Sequence, residues 1–286
     1  GRHIVTSAIE HAAVLEQAKA LAAQGYEVTL LKPDKSGHID PGALEATLRP
    51  DTVLVSLMLV NNELGTLQPV RQAAQAIRRT GAPALLHTDA VQGFLKVPFT
   101  PKELGVDLLT VSGHKIRAPK GIGAQYIRRG LALPPLLLGG GQEGRMRPGT
   151  EPTAQIAAFA AACRSWPEDA ARHMAGLKQY ALDTLPEVPG LEIISAGEAP
   201  HICAVSLPGY PSEMLVRELS DGGVFVSSGS ACHKGKPSHV FAALGLPKRV
   251  LMGVLRVSFS PESTREDVDA LKEGLLHIVK TRIAAR

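Results

Sequence analysis

Apolar and polar positions along the first half of the chain alternate between two rhythms. Residues 4–7 read as a short strand, and residues 10–23 as an amphipathic helix with Val14, Ala18, Leu21 and Ala22 on one face. Gly25 stops that helix, and residues 27–31 form the next strand. Asp40-Pro41 pairs an N-cap with a proline at the first helical position, starting a short helix through Leu48. Residues 52–58 are a nearly continuous apolar run, the kind found in parallel strands covered on both faces. A helix over 70–79 and strands over 84–89 and 107–111 continue the series. This alternation predicts an α/β fold, a mainly parallel sheet with helices on both faces.

After residues 123–127 the pattern changes. Residues 133–150 are rich in Pro and Gly, with Gly139-Gly140-Gly141 and Arg147-Pro148-Gly149-Thr150, and the stretch is too long for an ordinary turn. It reads as a functional loop. A helical region over 153–185, broken near Trp166-Pro167, leads to a smaller α+β unit. That unit has strands at 191–195, 202–207, 224–227 and 254–258, and helices at 212–220, 238–244 and 264–283. The division expected is therefore a large domain over 1–152 and a connecting helix with a small C-terminal domain over 153–286.

Bulk properties narrow the class. Of 286 residues, 44% are hydrophobic and 20% charged, which describes a soluble globular protein with a sizeable core. Aromatic residues make up only 4%, so Ala, Leu, Val and Ile must build that core. The net charge of +4 is slight and its lysines and arginines are scattered, which argues against nucleic-acid binding. No apolar run is long enough to span a bilayer. Cys163, Cys203 and Cys232 lie far apart with no CxxC pair, which fits free thiols in a reducing, cytoplasmic compartment rather than a disulfide framework or a metal site. The chain opens at Gly1 inside a strand, without an initiator Met, and so reads as a piece lacking an N-terminal segment.

Candidate chemistry gathers at strand ends. Lys115, in Ser112-Gly113-His114-Lys115, follows a buried strand, where an α/β sheet presents its reactive groups. Taken alone it would be a solvated surface lysine, but a desolvated lysine there can lose its proton and attack a carbonyl. Asp89 ends the preceding strand. Its bland reading is a helix N-cap, and as a buried carboxylate it should have a cationic partner. A lysine and an aspartate on successive strand ends are what pyridoxal phosphate needs, one to hold the cofactor and one to keep its ring nitrogen protonated. Ser112 and His114 stand close enough to Lys115 to reach a phosphate. His11, at a helix start, suits a cap or surface role, and turn formation accounts for one of Asn61-Asn62 without any function. Cys232 differs from the other cysteines in lying in a small, polar segment beside His233, Lys234 and Lys236, whose charges favour a nucleophilic thiolate.

Five segments together resemble the cysteine desulfurases, fold-type I, class V pyridoxal-phosphate enzymes. They are Ser112-Gly113-His114-Lys115, His87-Thr88-Asp89-Ala90-Val91-Gln92, Val60-Asn61-Asn62-Glu63-Leu64-Gly65, Arg147-Pro148-Gly149-Thr150 and Ser228-Gly229-Ser230-Ala231-Cys232. The resemblance covers essentially the whole chain. It implies that Lys115 binds pyridoxal 5'-phosphate covalently and shuttles a proton, that Asp89 meets the pyridine nitrogen and that Gln92 meets the ring hydroxyl. It also implies that His11 stacks on the ring and takes part in acid–base work. Ser112 and His114 would hold the phosphate, and Thr150 would reach the phosphate of a partner subunit, which implies a homodimer. Asn62 and Arg256 would clamp the carboxylate of L-cysteine, and Cys232 would accept its sulfur for transfer to an acceptor or scaffold protein.

The Ser-Gly-Ser-Ala-Cys form resembles the group with the longer cysteine loop. The family's Gly-Ala-Thr-Glu type phosphate loop would precede Gly1. Pro148 stands where a small residue is usual, and Ala118 where glycine is common. Selenocysteine lyase, another class V lyase or aminotransferase, and a truncated cofactor-free scaffold remain the competing readings.

Overall fold

The computed structural model describes residues 1–228 and 238–283. The first half of the chain supplies β1 (His3–Ser7), α1 (Ala12–Ala23), β2 (Glu27–Leu31), α2 (Pro41–Thr47), β3 (Thr52–Ser56), α3 (Val70–Thr80), β4 (Leu85–Asp89), α4 (Pro101–Leu104), β5 (Leu108–Ser112) and β6 (Gly123–Ile127). The second half supplies α5 (Thr153–Ser165), α6 (Ala170–Thr184), β7 (Glu192–Ser195), β8 (Ile202–Ser206), α7 (Ser212–Asp221), β9 (Ser227–Ser228), α8 (His239–Ala243), α9 (Lys248–Met252), β10 (Val254–Ser258) and α10 (Arg265–Thr281).

The predicted α/β architecture is present. Strands order as β2-β1-β3-β4-β5-β6 in a six-stranded sheet, parallel throughout except for β6, which pairs antiparallel with β5 at the edge. Side chains alternate across the pleat, so each strand has two distinct faces. Val5, Val55, Leu86, Leu109 and Val111 point to one face, where they pack with Leu44 of α2 and Val70, Ala73 and Ala74 of α3. Small alanines let α3 lie close to the strands, which is how a chain poor in aromatics builds a dense core.

The second sheet, β7-β8-β10-β9, is antiparallel, and a core from α6, α7 and α10 covers it. A third cluster joins the two halves, bringing Ile9 and Leu64 from the first against Phe241, Leu244 and Val254 from the second. Gly65 lies in this junction with φ +73, and a Cβ on it would stand 2.7 Å from the Ile202 carbonyl oxygen. Only glycine allows that approach in that conformation.

Several boundaries differ from the sequence pattern. The strand expected to run to residue 58 ends at Ser56, although Leu57 and Leu59 still donate to the His87 and Asp89 carbonyls. The strand expected at 224–227 shrinks to Ser227–Ser228, because Val224 donates back to Leu219 and residues 224–226 serve the exit of α7. The first helix starts at Ala12 rather than residue 10, since His11 has extended backbone and caps it. The short helices α4 and α9 carry too few residues to show a period.

Candidate active site

The face of the first sheet opposite α2 and α3 carries a polar row. Thr6, Ser56, His87, Asp89, Thr110 and Ser112 occupy alternate positions near the C-terminal ends of the parallel strands, and all six line one cavity of about 720 Å³. Val14, Ala18 and Leu21 of α1 line it from above. His87 ties three strands together, with Nδ1 2.8 Å from Ser56 Oγ and Nε2 2.7 Å from Thr110 Oγ1. Burial lowers its pKa, against the pull of Asp89, so the ring stays a neutral crosslink.

Lys115 reaches this cavity by a tight turn. β5 ends at Ser112, residues Gly113–Ile116 form a 3-10 turn, and Arg117 closes it at φ 68. A Cβ on Gly113 would stand 2.9 Å from Ile122 Cγ2 and 3.0 Å from Ala118 Cβ, so the turn depends on glycine. Ala118 packs here at 7% exposure without difficulty, although glycine is common at that place. Ile116 is buried in the turn, while the half-buried Lys115 lines the cavity. Burial and then the Arg256 guanidinium draw its pKa below that of an ordinary lysine, while Asp89 acts in the opposite direction.

Asp89 is half-buried rather than enclosed, and opens into the same cavity. Its Oδ1 accepts from the Val91 amide at 2.9 Å, the local turn-type contact of the bland reading, and Lys115 is the nearby cation. Gln92 lines the cavity one turn further on. Ser112 Oγ lies 2.7 Å from His114 Nδ1, a ready-made pair for an anion, and Lys115, Lys120 and Lys96 help burial to lower the His114 pKa. His11 combines its two readings, since Nδ1 accepts from the Ala13 amide at 3.1 Å as an N-cap while the ring borders the cavity.

Asn61 and Asn62 separate cleanly. Asn61 is buried, accepts from the Glu63 and Leu64 amides at 2.9 Å, and donates to the Ile9 carbonyl at 2.9 Å. It shapes the turn. Asn62 lines the cavity, and its buried Oδ1 has no partner among the described residues. Arg256 comes from β10 in the second sheet, donates to the Asn62 carbonyl at 3.2 Å and to Ser227 Oγ at 3.0 Å, and leaves Nε unpaired among the described residues.

One described residue among those predicted, Thr150, is not brought to this cavity. It is exposed on the 133–152 segment. Cys232 lies outside the described residues. Of the other thiols, burial pushes Cys203 up to about 12 and also raises Cys163, which suits packing rather than attack.

Sequence reasoning missed His87, Glu63, Glu10 and His201. Glu63 lines the cavity, and burial raises its pKa against the effects of Ser238, His239 and Arg256. The signal for His87 was present, as polar residues at alternate positions within strands that otherwise read as apolar. The remaining three depend on contacts across the fold.

The chain resembles known proteins along almost its whole length. Residues 1–271 match the family described as aminotransferase class-V. The chain is 38% identical to a protein named cysteine desulfurase IscS from Methanosarcina thermophila, over 98% of this chain and 70% of that relative. It is 36% identical to a protein of the same name from Clostridium botulinum strain Kyoto, over 99% of this chain and 73% of the other. Among solved structures, one titled NIFS-like protein superposes with a TM-score of 0.90 at 35% identity, covering 98% of this chain and 76% of that one. Another, titled SspA in complex with cysteine, gives 0.79 at 33% identity over 92% and 74%.

The donor set fits the cofactor of that family. The cavity offers a partly desolvated amine, a facing carboxylate, a Ser–His pair, and buried polar atoms on Thr6, Asn62 and Arg256 that lack partners among the described residues. These are the contacts that a phosphorylated, protonated pyridine and an amino acid require. The chain belongs to the class-V aminotransferase family of pyridoxal-phosphate-dependent enzymes.

Proposed function

We propose that the chain is a cysteine desulfurase, which takes L-cysteine, releases L-alanine and leaves the sulfur as a persulfide on Cys232. The observation that carries this reading is that Lys115, Asp89, Gln92, Ser112, His114, His11, Asn62 and Arg256 all line one cavity, although they come from distant parts of the chain.

In this reading Ser112 and His114 hold the phosphate of pyridoxal 5'-phosphate, Asp89 faces its ring nitrogen, Gln92 its ring hydroxyl, and His11 its face. When bound, the cofactor supplies an acceptor for the electron pair released at the substrate Cα. Arg256 and Asn62 receive the substrate carboxylate, a task suited to a guanidinium already desolvated within the protein. Lys115, with its lowered pKa, takes the proton from Cα and returns one later. The Cys232 thiolate attacks the substrate sulfur, an S–S bond forms as the C–S bond breaks, and the electron pair stays with Cβ. Cβ then takes up a proton, completing L-alanine.

Residues 1–152 would carry the cofactor, and 153–286 would bring Arg256 and Cys232. Thr150, exposed and off this cavity, supports a homodimer in which it serves the partner's phosphate. No described helix is long and apolar enough to cross a membrane, and the paired-cysteine patterns of oxidising compartments are lacking, which supports a cytoplasmic enzyme. The persulfide would pass to an acceptor or scaffold protein for iron–sulfur cluster or thio-cofactor synthesis.

The test is turnover of L-cysteine by protein loaded with pyridoxal phosphate, in the presence of a thiol reductant. Alanine and sulfide should appear in equal amounts, and Cys232→Ser should abolish both. Full activity in that variant would refute the persulfide step.

A further inference from the structure

The Gln92 side chain lines the cavity from the turn after β4, but its orientation is set from the other half of the molecule. Its Oε1 lies 3.2 Å from Nε2 of His201, a residue of the β7–β8 connection that is only 4% exposed. An amide oxygen only accepts, so the imidazole proton sits on Nε2 and His201 donates. The opposite tautomer would set a lone pair against that oxygen and bury an unpaired Nδ1–H, since Nδ1 has no partner among the described residues. With its oxygen committed to His201, the planar amide is left with its NH2 group for the cavity.

We infer that His201 is a positioning residue, which holds Gln92 with its NH2 group toward the cavity and so sets the donor offered to the ring hydroxyl of pyridoxal phosphate. This rests on the proposed role of Gln92 at that hydroxyl. His201 is itself firmly seated. Lys178 Nζ donates to the carbonyls of Ala196, Gly197 and Ala199 at 2.8, 2.9 and 2.7 Å, and the Ala199 amide donates to Gly65 at 2.8 Å. The Phe259 amide donates to the His201 carbonyl at 2.9 Å. Burial, then Lys96, Lys178, Arg256 and Lys115, hold its pKa down to about 3, so the ring remains a neutral single donor across the working range.

The experiment compares wild type, Gln92→Leu, His201→Phe, His201→Asn and the Gln92→Leu/His201→Phe double variant after loading with pyridoxal phosphate. Two readouts need no turnover: the dissociation constant for the cofactor, and the pH midpoint of the visible chromophore formed on Lys115. A donor on the ring oxygen stabilises negative charge there and makes the neighbouring nitrogen more acidic, so losing it raises the midpoint.

Gln92→Leu should raise the midpoint and weaken cofactor binding about 3- to 10-fold, the effect of one hydrogen bond. His201→Phe should shift both in the same direction, and the double variant should shift no further than Gln92→Leu, because both act through one group. His201→Asn, which can keep an N–H on Gln92, should return toward wild type and also serves if the Phe variant does not fold. A wild-type midpoint and affinity in His201→Phe, or additive shifts in the double variant, would overturn the inference while leaving the cofactor reading intact. A silent Gln92→Leu would remove both the role of Gln92 and the inference built on it. No chromophore in wild type would overturn the proposed function itself.

Discussion

Neighbouring residues of one type can have opposite duties, and burial with hydrogen bonding separates them. Asn61 spends both ends of its amide on local backbone, while Asn62 keeps its oxygen for the cavity. Glu10 and His11 form a similar pair, one enclosed and one open. The Glu10 carboxylate is fully buried, accepts from Ser7 Oγ and the Met58 amide at 2.8 Å, and has one oxygen unpaired among the described residues. Burial raises its pKa from 4.5 to about 8, with Asp89 adding to the rise and the two hydrogen bonds opposing it. The folded chain therefore holds a proton that the unfolded chain loses above 4.5, so this group makes stability fall as pH rises from there to about 8. Glu10→Gln cannot ionise, and its stability relative to wild type should climb between about pH 5 and pH 8 in denaturant titrations. A constant difference across that range would mean that Glu10 is already ionised in the folded state.

At the scale of elements, short connections rather than long helices decide where the chemistry sits. The 3-10 turn after β5 aims Lys115, the end of β4 and the turn after it present Asp89 and Gln92, and the β7–β8 connection brings His201 to Gln92. That last connection lacks regular backbone pairing over 196–199, and Lys178 takes its place by binding three of its carbonyls. Lys178→Met keeps the apolar stem in place but strands those acceptors. It should cost about 2–4 kcal/mol in urea unfolding, the range for losing hydrogen bonds from a charged donor. A loss within about 0.5 kcal/mol would mean that the connection is held by its contacts with Gly65 instead.

At the scale of the whole molecule, the cavity is built by two sheets that meet through Ile9, Leu64, Phe241 and Val254. Arg256 enters from the second sheet while Lys115 and Asp89 come from the first, so ligand binding should stabilise both halves together. Pyridoxal phosphate at about a hundredfold excess over its Kd should add about 2.7 kcal/mol and raise Tm in a single transition. Lys115→Ala, which removes the proposed covalent anchor, should show a clearly smaller rise at the same concentration. An equal rise in both proteins would place the binding energy elsewhere in the cavity.

Much of this was legible along the chain because it is local. Period and capping located β1 to β5 and the long helices, the break at Trp166-Pro167 fell where α5 gives way to α6, and the motifs at residues 87–92 and 112–115 marked the strand ends. The site residues named from those motifs, Thr150 and Cys232 aside, do line one cavity. What only the tertiary structure decided is non-local. That includes the polar face formed by Thr6, Ser56, His87 and Thr110, the protonation of Glu10, and the reach of His201 across 109 positions to Gln92. Periodicity reports which side of its own strand or helix a residue occupies. Burial, pKa and hydrogen-bond partners depend on what packs against that side, and only the folded chain supplies it.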